Sequence, residues 1–273
     1  MPLFLYDLPN WVFGLLISSV WVAVGVGGYL AFHRVCRATF SEGERNLAMA
    51  LLAVIATVNS LLLAFSAISV WEAFGSADKA VRSEAITLGA LSRDLAVFDS
   101  AESRHTRELL KTYAETVVDQ EWKDMQSGHP NEVAWAAFEA MFRSVGHLDP
   151  VGPREAALMP EIWTRTNELV RFRRERLYAS EAQVPGTLWI VVIAATLLSL
   201  VTLYVLPRTA FHLTAVGLLS CSFGLVFFFI AAMDRPFAGT ESIGSEPIKA
   251  AVLRMDQWGE ETGRSKPARA NGK

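Results

Sequence analysis

The chain has 273 residues, of which 52% are hydrophobic and only 19% are charged, and its formal net charge is −3 at pH 7. The excess of apolar residues excludes a purely soluble enzyme, a fibrous protein and a disordered chain. The slightly acidic balance provides no basic surface for nucleic acid, and two cysteines are too few for a disulfide framework. We therefore expect a membrane protein that has the lipid bilayer as a partner and binds no nucleic acid.

Four segments of the chain lack charged residues and are long enough to cross a bilayer. A membrane-spanning helix needs about 20 predominantly apolar residues, and backbone in hydrocarbon must be helical to satisfy its own hydrogen bonds. The four segments are residues 11–32, 47–71, 185–206 and 211–233. Because the connection within each consecutive pair is short, two antiparallel hairpins are predicted, one over 1–71 and one over 185–233.

The first and the last of these segments carry stripes of small residues. Helices in lipid approach closely where small side chains line the contact. The first segment offers Gly14, Ser18, Gly25 and Gly28, and the fourth offers Gly217, Cys221, Gly224 and Ala231. The pattern indicates helix–helix contact, with a close approach to a permeating ion or a lipid as the alternative.

The second segment carries polar residues at membrane depth. Asn59, Ser66 and Ser69 are predicted to share one face, with Ala56 and Ala73 nearby. They either hydrogen-bond to neighbouring helices or line a water-filled path. No Asp, Glu, Lys or Arg lies within any of the four segments, which argues against a proton-driven pump or transporter but is compatible with a passive pore.

The second segment is predicted to continue as a helix into an extramembrane helical bundle over 72–184. No proline occurs between Ser41 and His129, and apolar residues recur there at alternating intervals of four and three, which is a heptad-like seam. Glu84 occupies a seam position where an apolar residue is expected. This acid either reaches solvent or pairs with an arginine near residue 173, or it is a buried group that sets the register or senses protons.

Further helices are predicted on either side of the second hairpin. They cover about 101–125, 131–145 and 160–181, and residues 128–130 end the first of them. The last part of the chain, 234–273, is predicted to contain a short amphipathic helix, from Ser245 to about residue 258, and a disordered tail.

A membrane-proximal basic cluster precedes the third apolar segment. It consists of Arg171, Arg173, Arg174 and Arg176. We expect it to contact lipid headgroups and to form salt bridges with the helix of Glu84, with an anion site as the alternative. By the positive-inside rule this cluster favours a cytoplasmic middle region, whereas Arg34 and Arg37 favour an outside N-terminus. Since the first helix usually dominates, the residue pattern leans slightly to the second orientation.

The sequence contains no signature of catalysis. Its histidines show neither the H-x-x-x-H nor the H-E-x-x-H spacing, and it has no C-x-x-C, no phosphate-binding loop and no G-x-S-x-G motif. We therefore expect no enzyme activity, no catalytic residue, no cofactor and no metal site.

Several local patterns together resemble a known family. They are Leu62-Leu63-Ala64-Phe65, Val70-Trp71-Glu72, Glu84-Ala85, Tyr113, Glu121-Trp122, Arg176-Leu177, Pro185, Leu188-Trp189 and the exit motif Asp234-Arg235-Pro236-Phe237-x-Gly239. The chain thereby resembles, over nearly its whole length, a bacterial family of membrane proteins whose domain is labelled bestrophin-like. The exit motif and the Trp71-Glu72 pair are the most specific parts.

The resemblance implies an architecture and suggests an activity. Bestrophins are pentameric ligand-gated ion channels with two membrane hairpins, a pore-lining second helix and a cytoplasmic helical region, which is opposite to the orientation that Arg34 and Arg37 favour. The bestrophins' own pore and calcium-clasp motifs are not found, so the implied channel activity rests on architecture.

Two functions remain open. The first is a homo-oligomeric passive ion channel in a bacterial inner membrane, a pentamer by analogy, with Glu72 and Glu84 as buried or gating acids. The second is a non-conducting sensor or scaffold whose helical bundle binds a partner.

Overall fold

The computed structural model describes residue 6 and residues 8–36, 40–98, 100–127 and 131–264, and this part of the chain contains no β-strand. The chain divides into two compact units. We call Met1–Phe74 with Ala182–Ser242 the membrane unit, and Gly75–Glu181 with Ile243–Lys273 the extramembrane unit. The predictions for Arg37, for 128–130 and for the tail beyond residue 264 concern residues outside the described ranges.

The described residues form nine α-helices and one π-helical turn. In chain order these are α1 (Asn10–Val35), α2 (Glu42–Leu95), α3 (Ala101–Thr116), the π-helical turn (Val117–Glu121), α4 (Trp122–Ser127), α5 (Glu132–Val145), α6 (Pro153–Glu181), α7 (Gly186–Leu203), α8 (Ala210–Met233) and α9 (Glu246–Arg264). Of these, α1, α2, α7 and α8 are long and apolar enough to cross a membrane, which confirms the four predicted spans. The protein is an all-α membrane protein.

The 54-residue helix α2 runs unbroken past the end of its apolar segment, as the absence of proline predicted. Its first turn is fixed by a reciprocal pair of hydrogen bonds. The Glu44 amide donates to Ser41 Oγ at 3.3 Å, and the Ser41 amide donates to Glu44 Oε2 at 2.7 Å. This capping box satisfies two amide groups that have no partner within the helix.

The core of the membrane unit contains an extensive contact between α1 and α8. Gly224 lies directly against Ser18, and Gly25 lies against Ser220. The two small-residue stripes therefore serve helix–helix contact, as predicted. The first membrane helix thus packs closely on the last one, since the paired stripes let these two backbones approach.

Two helix boundaries differ from the predicted ones. The helix α6 begins at Pro153 rather than at Pro160, which lies inside it. Proline is favoured in a first turn, and the good helix formers between the two prolines extend the helix backwards. The helix α9 continues to Arg264, so residues 259–264 of the predicted tail are helical.

In the extramembrane unit, α9 packs against α3. Lys111 Nζ donates to Asp256 Oδ1 at 2.5 Å across this contact. This hydrogen bond raises the pKa of the Lys111 ammonium. Because both side chains are partly exposed, the ion pair contributes little to stability.

Candidate functional site

The inward face of α2 in the extramembrane unit carries one acid among apolar residues. The buried residues along this face are Ala77, Val81, Glu84, Leu88, Leu91 and Leu95. Glu84 has no solvent exposure, so its charge must be compensated inside the protein. Of the alternatives left open by the sequence, the structure shows a buried acid that is paired with an arginine, Arg176.

Arg176 on α6 binds two carboxylates at once. Its Nε donates to Glu84 Oε2 at 2.6 Å, and its Nη2 donates to Glu84 Oε1 at 3.1 Å and to Glu121 Oε2 at 2.7 Å. Its Nη1 donates to the sulfur of Met125 at 2.7 Å, and the guanidinium stands 5.3 Å from the ring centre of Trp122. Every nitrogen of this fully buried guanidinium therefore has a partner.

Two further side chains complete the group. Arg173 Nη2 donates to Glu121 Oε1, and the Tyr113 hydroxyl donates to Glu84 Oε1 at 2.6 Å. We call Glu84, Tyr113, Glu121, Arg173 and Arg176 the charge cluster. Two carboxylates balance two guanidinium groups, and each carboxylate oxygen accepts at least one hydrogen bond.

The π-helical turn places one member of the charge cluster. Glu121 is the last residue of this turn, which interrupts the single helix predicted over 101–125. Both Glu121 and the adjacent Trp122 are buried. A π-helical turn inserts an extra residue into a helix and is frequent at functional sites. The cluster thus ties α2, α3, this turn and α6 together through side chains.

Burial and neighbouring charge shift the pKa of two cluster members. Burial, reinforced by the Glu84 carboxylate, raises the pKa of Tyr113 well above its usual value. For Arg176, burial lowers the pKa, but the charge and hydrogen bonds of Glu84 together with the charge of Glu121 outweigh burial, and the net pKa is raised. Both side chains therefore keep the protons that they donate to Glu84.

We predict that the raised pKa of Tyr113 makes the folded protein less stable at alkaline pH. Above about pH 10 an unfolded tyrosine loses its proton whereas the buried one keeps it, so the folded state binds more protons and the free energy of unfolding falls as pH rises. The loss for one group is about 1.4 kcal/mol per pH unit, and below about pH 10 the contribution is fully present. Thermal unfolding across this range should show the effect in the wild type and a weaker pH dependence in Tyr113→Phe. The variant Tyr178→Phe, at an exposed tyrosine, is the control, and parallel curves for the wild type and Tyr113→Phe would contradict the prediction.

The membrane-proximal basic cluster is divided between the interior and the surface. Arg173 and Arg176 lie on the inner face of α6 and are buried, whereas Arg171 and Arg174 are exposed. A spacing of three residues places the first two on the same helix face. The predicted salt bridge to the acid of α2 is made by Arg176.

The polar residues predicted on one face of the second membrane helix differ in their burial in the structure. Asn59 is fully buried and its Nδ2 donates to Thr196 Oγ1 of α7 at 3.1 Å. Ser66 is also buried and donates to the Leu62 carbonyl at 2.8 Å, whereas Ser69 is exposed. Asn59 and Ser66 thus lie on the buried side of α2, whose four–three spacing leaves Ser69 at its exposed edge.

The other α2 candidates also differ in burial. Ala56 is half-buried, and Ala73 and Glu72 are exposed. Of the two acids predicted as buried or gating groups, only Glu84 is therefore buried, because Glu72 lies on the outward side of α2. A different exposed set shares one side of the helix, and we call it the small-polar stripe. It consists of Ala53, Thr57, Ser60 and Ala64.

The exit motif organises the end of α8. Its residues are Asp234, Arg235, Pro236, Phe237 and Gly239. Asp234 Oδ1 accepts a hydrogen bond from the Val184 amide at 2.6 Å, just before α7 begins, and the Arg235 guanidinium lies 5.9 Å from the ring centre of Tyr6. Gly239 has φ of +94°, a conformation that a β-carbon would strain. Within the membrane unit, the motif therefore ties the end of α8 to the segments that precede α1 and α7.

Glu121 and Tyr113 are the members of the charge cluster that were not predicted as site residues. A usable signal was present, because Tyr113, Val117 and Glu121 follow one another at intervals of four and share one helix face. Glu121 is thus a second acid on an apolar face, of the same kind as Glu84. Among the described residues, no group of three or more His, Cys, Asp or Glu side chains could hold a metal ion.

Comparison with known proteins agrees with this architecture. A solved structure described as the crystal structure of a membrane protein is similar to this chain, with a TM-score of 0.61 and 12% sequence identity, over 93% of this chain and 99% of that one. At this identity the likeness shows the fold alone. No curated protein matches the chain. The family model of the bestrophin-like domain matches residues 19–248, which is most of the chain. The protein therefore belongs to the bestrophin-like family of membrane proteins.

Proposed function

We propose that this protein is a homo-oligomeric passive ion channel of a bacterial inner membrane, with α2 lining the ion path. The observation that carries the proposal is how little of α2 its own chain covers. In the most apolar 18-residue stretch of α2, only 11% of the residues are buried within the protein, whereas the corresponding share in α8 is 39%. The uncovered sides of such a helix face lipid, or they face other subunits and a central path.

The small-polar stripe favours the second arrangement. Thr57 and Ser60 present hydroxyl groups on the stripe, whereas Val58, Leu61 and Phe65 expose bulky apolar side chains on another side of the same helix. Hydroxyl and small side chains in membrane helices are typical of contacts with protein rather than with lipid. A path lined by neutral groups also suits passive conduction, for which no charge at membrane depth is required.

Family membership supports the same proposal. The resemblance to bestrophins implies a pentamer around a central axis, with the second membrane helix nearest that axis. It also implies that the extramembrane unit is cytoplasmic. Under this proposal ions permeate along the small-polar stripe, and the charge cluster holds the part of α2 that extends beyond the membrane.

Planar-bilayer recording of the purified protein tests the proposal. We expect currents whose unit conductance falls clearly in Thr57→Leu and in Ser60→Leu, because each substitution replaces a hydroxyl that faces the path with a larger apolar group. Matched controls exist on α8, where Thr214 and Ser222 are likewise exposed. Each donates a hydrogen bond to a carbonyl of its own helix. Thr214→Leu and Ser222→Leu should leave the conductance unchanged. Silence across voltage, pH and calcium, together with a monomeric mass, would refute the proposal.

The alternative is a non-conducting sensor or scaffold, and one observation favours it. Asn59 and Ser66, the buried polar side chains of α2 at membrane depth, are both hydrogen-bonded inside the chain. If the membrane unit is only an anchor, the stripe variants should behave like their α8 controls. Disruption of the charge cluster should then abolish the binding of a partner by the helical bundle, which is the activity that this alternative assigns to the protein.

A further inference from the structure

The extramembrane unit contains a cleft between α5 and α6 that neither the family nor the proposed function explains. We call it the α5–α6 cleft, and its volume is about 450 Å³. Its apolar wall is formed by Trp135, Phe138 and Phe142, all on α5. Volume and lining resemble those of small-molecule sites, which combine an apolar wall with a few polar groups.

The aromatic wall is held in place from behind. The Arg173 guanidinium of the charge cluster stands 5.0 Å from the ring centre of Trp135, and the rings of Trp135 and Phe138 stack at 5.9 Å. Phe138 is buried, whereas Trp135 keeps 40% of its surface exposed. One ring is therefore available for stacking while the charge cluster fixes its orientation, which lowers the entropic cost of binding.

The polar groups of the cleft indicate the charge of the ligand. Arg143 and Arg174 line it, both are exposed, and neither makes an ion pair with any residue that the structure describes. Arg143 Nε donates only to the backbone carbonyl of Glu139, at 3.3 Å. Two guanidinium groups against the one carboxylate of Glu139 leave one net positive charge beside the aromatic wall.

We propose that the α5–α6 cleft binds a small organic monoanion with a flat apolar body. The body stacks on Trp135, and the acidic group, a carboxylate, sulfonate or phosphate diester, accepts hydrogen bonds from Arg143 and Arg174. A single negative charge fits best, because a second one would meet Glu139. The Asn167 side chain, also in the lining, supplies a neutral hydrogen-bonding group.

Equilibrium dialysis of the full chain in phosphatidylcholine nanodiscs tests this site, with naphthalene-2-sulfonate as the probe and empty nanodiscs as the blank. We expect saturable binding of one probe per chain. The uncharged naphthalen-2-ylmethanol has the same rings without the acid, and it should bind at least about tenfold more weakly, since charge-assisted hydrogen bonds to guanidinium are lost.

Variants locate the binding. The double variant Arg143→Gln/Arg174→Gln should raise the Kd by at least about tenfold, and Trp135→Leu should also raise it. Arg171 lies on α6, as Arg174 does, but outside the cleft, so Arg171→Gln should leave the Kd unchanged. Retention no greater than in empty nanodiscs, equal binding of the uncharged compound, or an unchanged Kd in the double variant would each overturn the proposal. Because no current is measured, this outcome does not depend on whether the protein conducts.

Discussion

Replacing Arg176 by methionine should lower the free energy of unfolding by about 3–5 kcal/mol, because the substitution leaves buried carboxylates without their cation. Glu84 would keep only the hydrogen bond from Tyr113, and Glu121 only the one from Arg173. Methionine retains much of the side-chain volume, so the loss reports charge rather than a cavity. In a chain of this size the thermal midpoint should fall by roughly 10 °C, measured by circular dichroism in detergent.

Two further variants make this expectation specific. Arg171 lies on the same helix, and its Nε is 3.8 Å from Glu175 Oε1 at the surface. Arg171→Met should therefore change the free energy of unfolding by less than about 0.5 kcal/mol. Adding Glu84→Gln to Arg176→Met should recover part of the loss, because the uncompensated charge is then gone. Equal midpoints for Arg176→Met and Arg171→Met would show that the charge cluster does not hold the fold together.

Replacing Gly224 by alanine should destabilise the membrane unit by about 2–3 kcal/mol or more, since overpacking against backbone cannot be relieved by a rotamer change. A β-carbon at this position would lie 2.6 Å from the Ser18 Cα and 3.2 Å from its Cβ. The two helices would have to separate along their closest contact. Size-exclusion chromatography and the thermal midpoint in detergent should show a less monodisperse and less stable protein.

A matched glycine serves as the control for this prediction. Gly27 lies on α1, and a β-carbon there would meet nothing within 4 Å. Gly27→Ala adds the same methyl group to a membrane helix, so it should be neutral or slightly stabilising, as alanine favours helix over glycine. If both variants lose stability equally, close packing of α1 on α8 is not the cause.

Both predictions concern contacts that the sequence indicated only in part. The small-residue stripes of the first and last membrane helices predicted helix–helix contact, but any two stripes could have met. Glu84 stood out as an acid in an apolar seam, and an arginine near residue 173 was one of its suggested partners. Neither pattern names the partner residue, because helix periodicity defines which face is buried and not what lies opposite that face.

The π-helical turn shows another limit of periodicity. A regular helix was predicted over 101–125, and the extra residue within 117–121 has no signal in the spacing of apolar residues. The spacing also did not show that Asn59 is buried whereas Ser69 is exposed, for a related reason. In a membrane helix nearly every position is apolar or small, so the spacing of a few polar residues does not reveal which side meets the protein.

Properties that depend on local composition could be read directly from the chain. Four uncharged segments of sufficient length must be helices in lipid, and a stretch without proline lets α2 continue beyond the second of them. Other contacts join residues that are distant in the chain, as in the pairing of α1 with α8. Asn59 and Thr196 are 137 positions apart, and Arg176 is 92 positions from Glu84 and 55 from Glu121. Such contacts follow from how the helices pack in three dimensions, because their free energy depends on distance and desolvation rather than on neighbours along the chain.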